Sequence, residues 1–434
     1  MKLGVTAAGV FLLFHLGQLI STTAEAADPT ITPPQNGAPP QHCFLLAIDP
    51  DLSMRSGTVN LLTAHTLLSR VEDRLLRTTW SNESSLVTRT AGIAGRLTKL
   101  ALLDLPVDYF TVVLAHEYFG HGARYRELNI GNIDYGYDRP PPYGNGGGWA
   151  TASIHSGSIT DSELLAICTG GLEVHQQLND LLRRRWVRSG YINYREALLY
   201  FWSFQIGFNY LQGSTPITPE LEDYNDPQAY IQLLNRINGY NDVTALQYRL
   251  EDLQKQMKAD LFDPFLFLAI YTQLTSYFWR GEPETSFPML LLGDVTYLPL
   301  LRTSLTPFGL AYHLDNYLLF DNHLVRVDLG LGDDTFQTGW GSIGVLVEEL
   351  VRRPGFQLDL RLDAWKQPRL DLSGQSISGS GNGGACSLRG HYQLPTSRLP
   401  LFGIVEAGFK SRGFLEGYSL DRAPNLMLGL ALKM

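Results

Sequence analysis

The chain has 434 residues, of which 44% are hydrophobic and only 18% are charged. It carries 34 Lys and Arg against 43 Asp and Glu, so the formal net charge is −9. The apolar content is enough for a buried core and excludes a disordered chain. The acidic balance, with no basic run beyond Arg183–Arg185, argues against nucleic acid as a partner. Three cysteines, Cys43, Cys168 and Cys386, are too few and too widely spaced for a disulfide scaffold.

The N-terminus has the pattern of a signal peptide over residues 1–26. Lys2 supplies the positive charge, Leu3–Ile20 is nearly continuously apolar, and Ala24-Glu25-Ala26 is a small-x-small cleavage site. An uncleaved anchor is the alternative, although the apolar run is short for a membrane span. We therefore expect an exported protein in the periplasm or outer membrane of a Gram-negative bacterium. Residues 27–49 begin with a Pro- and Thr-rich stretch and are predicted to form a loose leader.

Residues 50–287 are predicted to form a helical domain. Apolar residues recur at spacings of three and four, which is the period of an amphipathic helix. The predicted helices cover about residues 56–76, 84–103, 107–128, 160–188, 193–211, 226–237 and 243–279. A long Pro- and Gly-rich break interrupts them at Asn129–Thr160. Its aromatic residues, Tyr135, Tyr137, Tyr143 and Trp149, predict an ordered loop, in which Asp134–Trp149 faces a substrate.

Residues 288–434 are predicted to form an antiparallel β-domain of about eight strands, which gives the chain an α+β fold. The period changes to two, as where Leu358, Leu360 and Leu362 alternate with polar Asp359 and Arg361. Two architectures fit this alternation. A soluble sheet would pack its apolar face on the helices, whereas an outer-membrane β-barrel would turn that face to lipid and keep the charges inside. The long strands and the export signal favour the barrel.

The strongest local motif is the segment Ala115-His116-Glu117-Tyr118-Phe119-Gly120-His121-Gly122. A catalytic zinc site needs neutral imidazole ligands and a carboxylate that takes the proton of a water molecule. The two histidines are five residues apart, instead of the usual four. On a regular helix that spacing leaves them roughly 140° apart. A π-type bulge near Phe119–Gly120 would bring them to roughly 50°, so the motif predicts such a bulge.

The same residues resemble the zinc helix of the dipeptidyl peptidase three family, His-Glu-x-x-Gly-His-Gly, which also has one extra residue. The resemblance covers about seven residues, and the second Glu-rich motif of that family is not present in the usual form. It implies a Zn²⁺ ion bound by His116 and His121, with Glu117 as the general base.

A third protein ligand is predicted in the segment Ile167–His175. The paired glycines Gly170 and Gly171 would let a second helix approach the first closely. Glu173 would then reach the metal, much as a downstream helical Glu does in many zinc peptidases. His175 and Glu163 are the alternative ligands.

These features predict an exported, zinc-dependent metallopeptidase that cleaves peptide or protein substrates in the cell envelope. Zinc would be held by His116, His121 and Glu173, with Glu117 taking the proton of the water. The alternative is an outer-membrane barrel with a helical plug or assembly domain and no catalytic metal. In that case a structural metal would be closed by a fourth ligand such as His175 or His155. A periplasmic binding module without a metal is a third hypothesis. The sequence leaves the substrate and the oligomeric state open.

Overall fold

The computed structural model describes residues 43–76, 86–154, 157–219, 225–321, 323–372, 381–395 and 400–433. The predicted signal peptide, most of the predicted leader and His155 lie outside these ranges.

Helices occupy the chain between Met54 and Arg280. The α-helices are α1 (Met54–Leu76), α2 (Leu86–Lys99), α3 (Leu105–Leu114), α4 (Gly122–Glu127), α5 (Asp161–Ser189), α6 (Tyr194–Gly213), α7 (Asp226–Ile237), α8 (Leu250–Gln256) and α9 (Pro264–Tyr271). They are joined or extended by the π-helical segments Leu100–Asp104, Ala115–His121 and Thr272–Arg280, and by the 3-10 segment Met257–Phe262. Within the described ranges, none of these helices has the length and apolar character needed to cross a bilayer.

The predicted helix over 243–279 begins seven residues late, at Leu250. The side chain of Asp242 accepts hydrogen bonds from the backbone N–H and the hydroxyl of Thr244, at 2.8 and 2.7 Å. Such local side-chain bonds hold the backbone in a turn and compete with the helix. A second interruption falls at Asp263, because Pro264 starts a new helix there.

The strands lie mainly in the C-terminal third of the chain. They are β1 (Cys43–Ile48), β2 (Ile133–Tyr137), β3 (Gly148–Ala152), β4 (Tyr191–Asn193), β5 (Glu284–Ser286), β6 (Leu290–Leu292), β7 (Val295–Thr306), β8 (Gly309–Phe320), β9 (His323–Gly332), β10 (Gly341–Arg353), β11 (Phe356–Lys366), β12 (Asn382–Gln393), β13 (Leu401–Lys410) and β14 (Ala423–Lys433). Two short two-stranded sheets pair β2 with β3 and β4 with β5.

The main sheet has ten strands in the order β1-β14-β13-β12-β11-β10-β9-β8-β7-β6, and all its pairs are antiparallel. This confirms an α+β fold with an antiparallel C-terminal sheet, in which nine strands follow residue 288. The sheet is not closed into the barrel that the sequence favoured, because among the described residues its end strands β1 and β6 do not pair with each other. The tenth, β1, corrects the expectation that residues 27–49 form a loose leader throughout. Its residues Cys43–Ile48 pair with β14, with Leu46 opposite Leu430.

Helix α5 lies between the other helices and the sheet. A capping box between Thr160 and Glu163 starts it, and Gly190 ends it at φ 71°, a conformation that glycine adopts at no steric cost. Its buried Leu178 and Trp186 share one apolar core with the buried sheet residue Tyr317. This packing fixes α5 between the other helices and the main sheet.

Candidate metal centre

The segment that carries the two motif histidines is π-helical over Ala115–His121. The sequence predicted such a widened turn, and the structure confirms it. The wider turn brings histidines five residues apart onto one side of the helix. The Nε2 atoms of His116 and His121 lie 3.1 Å apart, and both side chains are buried.

Helix α5 approaches this segment through the glycine pair, as predicted. A Cβ atom on Gly171 would lie 2.4 Å from Nε2 of His116 and 2.7 Å from Nε2 of His121. A Cβ on Gly120 would lie 2.7 Å from the Cα atom of Gly171. No side chain fits at these distances, so the glycines make room for the imidazoles and for the backbone contact between the two helices.

The carboxylate beside the two imidazoles belongs to Asp226, which sequence reasoning did not single out. Its Oδ2 lies 3.4 Å from Nε2 of His116 and 3.2 Å from Nε2 of His121. Donor atoms around a tetrahedral zinc ion, with bonds of about 2.0–2.1 Å, are roughly 3.3–3.4 Å apart. The three atoms therefore form a triangle of the size that such an ion requires. Among the described residues, this is the group of His, Cys, Asp and Glu whose spacing suits a metal ion.

Local structure positions Asp226 as the first residue of α7. Asn225 caps this helix through a capping box with Gln228. The hydroxyl of Tyr210 donates to Oδ2 of Asp226 and accepts from its backbone N–H, both at 3.2 Å. The side chain of Asp226 is 27% exposed, which makes it the most open of the three ligand candidates. The site is therefore reached from solvent on the Asp226 side.

The other ring nitrogens of the histidines have their own partners. Nδ1 of His121 lies 2.8 Å from the carbonyl oxygen of Ile167, so Nδ1 carries a proton and Nε2 is the nitrogen that can bind a metal after losing its own proton. Nδ1 of His116 lies 3.1 Å from Nε2 of His175, whose Nδ1 faces the hydroxyl of Ser203 at 3.4 Å. If each Nδ1 donates along this chain, Nε2 of His116 is also free to bind a metal. Such outer partners fix the tautomer and orientation of ligand histidines.

Glu173 lies in a different environment from the one predicted for a metal ligand. Nη2 of Arg124 donates to both its carboxylate oxygens at 2.6 Å, and the backbone N–H of Gly417 donates to it at 2.6 Å. Its side chain has no exposed surface. The structure therefore does not bring Glu173 to the histidines, because a buried arginine takes its carboxylate, and it places Asp226 beside them instead.

The two alternative ligands also have other partners. Glu163 belongs to the capping box of α5, where its carboxylate accepts from the N–H of Thr160 at 2.8 Å. His175 contacts Nδ1 of His116, on the ring edge away from the donor triangle. Burial and the neighbouring histidines lower the pKa of His175 well below its ordinary value, which keeps its ring neutral.

Glu117 lies next to the histidines and beneath the hairpin formed by β2 and β3. A Cβ atom on Gly148 would lie 2.9 Å from Cγ of Glu117, so strand β3 runs directly alongside it. Burial raises the pKa of Glu117. The segment predicted to face a substrate, Asp134–Trp149, is thus largely an ordered hairpin against the π-helical turn.

The hairpin contributes a second polar group to this site. The hydroxyl of Tyr137 is buried and has no hydrogen-bond partner among the described residues. Burial, together with the charge of Glu117, raises its pKa to about 12, so it remains a hydrogen-bond donor. The only sequence signal for this residue was its place in an aromatic-rich loop.

No family model, curated protein or solved structure matches this chain. Its chemistry is therefore argued from the geometry of the site.

Proposed function

We propose that this protein is a zinc-dependent hydrolase in which His116, His121 and Asp226 hold the ion and Glu117 is the general base. The observation that carries the proposal is the triangle of Nε2, Nε2 and Oδ2 atoms next to Glu117. Two imidazoles and one carboxylate leave a fourth position open, as in catalytic zinc sites. The resemblance of the motif to the dipeptidyl peptidase three zinc helix supports the same roles for the two histidines and Glu117.

Each part of the site has a distinct task in this proposal. The ion, when bound, would make a water molecule acidic enough to react near neutral pH. The carboxylate of Glu117 takes the proton of that water and passes it to the leaving group. The hydroxyl of Tyr137 donates to the oxygen on which negative charge develops. His175 and the carbonyl of Ile167 hold the imidazoles in the tautomer that binds metal.

A peptide bond is the substrate that best fits the surroundings of Glu117. Strands β2 and β3 pair only with each other among the described residues, so the hairpin keeps unpaired backbone edges. An extended peptide can add to such an edge through main-chain hydrogen bonds. Because β3 runs alongside Glu117, a peptide held there would have its backbone close to the general base.

A ferrous ion is the competing occupant, since two histidines and one carboxylate also bind Fe²⁺ in oxygenases. Glu117 favours hydrolysis, because a carboxylate next to the ligand set is what activation of water needs. Elemental analysis of protein purified without chelator distinguishes the two metals, and about one zinc per chain is expected.

The deciding experiment combines metal content with hydrolysis of a quenched fluorescent peptide library, for the wild type beside Glu117→Gln. The variant should keep its zinc and lose at least about 100-fold in kcat. A chelator should abolish wild-type activity, and added zinc should restore it. Full activity in Glu117→Gln, or hydrolysis that survives complete removal of the metal, would reject the proposal.

A further inference from the structure

The outer face of the main sheet is apolar on strand after strand. Six residues, one on each of the strands β9 to β14, are 42–52% exposed: Leu329, Ile343, Leu362, Leu388, Val405 and Leu428. They lie on one side of the sheet, where Leu329 is directly opposite Ile343 and Val405 is directly opposite Leu428. Single exposed hydrophobic residues are common on protein surfaces, but a continuous apolar surface across six strands marks an interaction site.

The inner face of the same strands carries the charges. Asp315 on β8 accepts from Arg302 at 2.7 Å and from Arg326 at 3.0 Å. Glu406 on β13 pairs at 2.7 Å with Arg389 and with Arg55 of α1. A sheet that faces water on one side normally has its polar side chains outside and its apolar ones inside. Here the arrangement is reversed, as in sheets whose outer face contacts lipid.

The edge of the sheet at β1 is closed by side chains of α1. The backbone N–H and C=O groups of Leu45 bond to the hydroxyl of Thr63 at 3.0 and 2.6 Å. Those of Ala47 bond to the side-chain amide of Asn60 at 2.8 and 2.7 Å. Water would satisfy these groups on a solvated edge, whereas in an apolar medium each one needs a protein partner.

The edge of β7 beyond its pairing with β6 is buried under the helical segments. The N–H of Thr303 donates to the carboxylate of Asp260 at 2.6 Å, and its carbonyl accepts from the amide of Gln176 at 3.3 Å. Thr303 is therefore paired on both of its backbone groups, as an apolar medium beside the sheet requires.

The dimensions of the face agree with a bilayer. On β11 the outward positions from Phe356 to Ala364 are uncharged, which is roughly 27 Å along the strand. These positions cover nine residues, and a tilted strand needs about 9–11 residues to cross a bilayer. Exposed aromatics lie at one rim, where Phe320 ends β8, Phe356 begins β11 and Tyr392 is near the end of β12. Aromatic residues are enriched at membrane–water interfaces.

We propose that the outer face of strands β8 to β14 and β1 lies against the acyl chains of a phospholipid bilayer. The helices then cover the charged inner face and pair backbone groups along β1 and β7. This inference does not depend on the metal centre, because none of its observations involves His116, His121 or Asp226.

Cys386, which is exposed on the outer face of β12 opposite Leu362, offers a reporter for the test. The full chain with Cys43→Ser and Cys168→Ser is labelled at Cys386 with a nitrobenzoxadiazole probe and reconstituted in phosphatidylcholine vesicles. Brominated acyl chains should lower the emission at least about twofold, and aqueous iodide should leave it unchanged. The matched control carries the probe at Asn145→Cys, in an exposed loop, in a background with Cys386→Ser. There iodide should quench and brominated lipid should not.

A charge on the face supplies the second measurement. Leu388→Arg should lower the fraction of protein that floats with vesicles at least about tenfold, because arginine is costly in the acyl region. Ile237→Arg, at an equally exposed position at the end of α7, should float like the wild type. Quenching of the Cys386 probe by iodide would overturn the proposal. A probe reached by neither quencher, in a particle with the mass of two chains, would also overturn it by assigning the face to a second copy.

Discussion

Two carboxylates, Asp226 and Glu173, are the candidates for third metal ligand, and the structure predicts opposite consequences for their removal. Asp226→Asn keeps the contact with Tyr210 but removes the charge beside the two imidazoles. Loss of an outer partner already weakens metal binding about 10- to 100-fold, so loss of a direct ligand should weaken it by at least about 100-fold. The stability should fall by only about 1 kcal/mol, because the side chain is partly exposed at a helix N-terminus.

Glu173→Ala should do the reverse. It removes three hydrogen bonds from Arg124 and one from Gly417, all buried. Breaking one side of a buried ion pair costs about 3–5 kcal/mol. Arg124 keeps Glu127 at 2.7 Å and the carbonyl of Tyr418 at 2.9 Å, so the lower end of that range, about 3 kcal/mol, is expected. Metal affinity should remain within a few-fold of the wild type.

The assay pairs two measurements on each variant. Competition with a chromophoric zinc chelator gives the metal affinity, and urea unfolding followed by tryptophan fluorescence gives the stability. Both unfolding curves are recorded without metal, so that loss of the ion does not itself lower the stability. Loss of the metal in Glu173→Ala with an unchanged unfolding midpoint, or zinc binding in Asp226→Asn as tight as in the wild type, would refute Asp226 as the third ligand.

Three further predictions follow from individual contacts. Gly171→Ala should abolish metal binding because its Cβ would meet both imidazoles. Gly207→Ala, whose Cβ would have its nearest neighbour at 3.4 Å, should bind metal normally. Zinc retained in Gly171→Ala would contradict this close packing of the two helices. Tyr137→Phe should keep zinc and lower kcat about 100-fold, and an unchanged kcat would remove Tyr137 from the site. Burial raises the pKa of Asp260 from 3.8 to about 7. The free energy of unfolding of the wild type should therefore fall as the pH rises from 4 to 7, by at most about 4 kcal/mol relative to Asp260→Asn. Parallel pH profiles of urea unfolding would contradict that assignment.

Periodicity predicted the larger features of the fold well. Helical spacing located the segments from Met54 to Arg280, and alternation located the antiparallel strands that follow. It could not predict that Cys43–Ile48 joins the sheet. Six residues carry little periodic signal, and their pairing depends on an open edge of β14, nearly four hundred residues away in the chain. Side chains of α1 complete the other edge of this strand, and no local pattern reports that contact.

The histidine pair could be predicted because its constraint is local. A spacing of five between two ligands on one helix requires a widened turn, and the glycines of α5 had to stand where a second helix comes close. The identity of the third ligand depends instead on how α5, α6 and α7 pack. Glu173 and Asp226 differ little as sequence signals, since each is an acidic residue in or at the start of a helix.

The two carboxylates differ in whether a buried arginine lies beside them. Arg124 follows His121 by three residues, so it projects from the metal-binding turn toward α5 and donates hydrogen bonds to the carboxylate of Glu173. A carboxylate that neutralises a fully buried arginine cannot leave it without a cost of several kcal/mol. Among the described residues Asp226 has no arginine partner, and its Oδ2 faces Tyr210 and the two imidazoles. A third ligand is therefore better sought among carboxylates that lack a buried cation partner than among those closest in sequence to the motif.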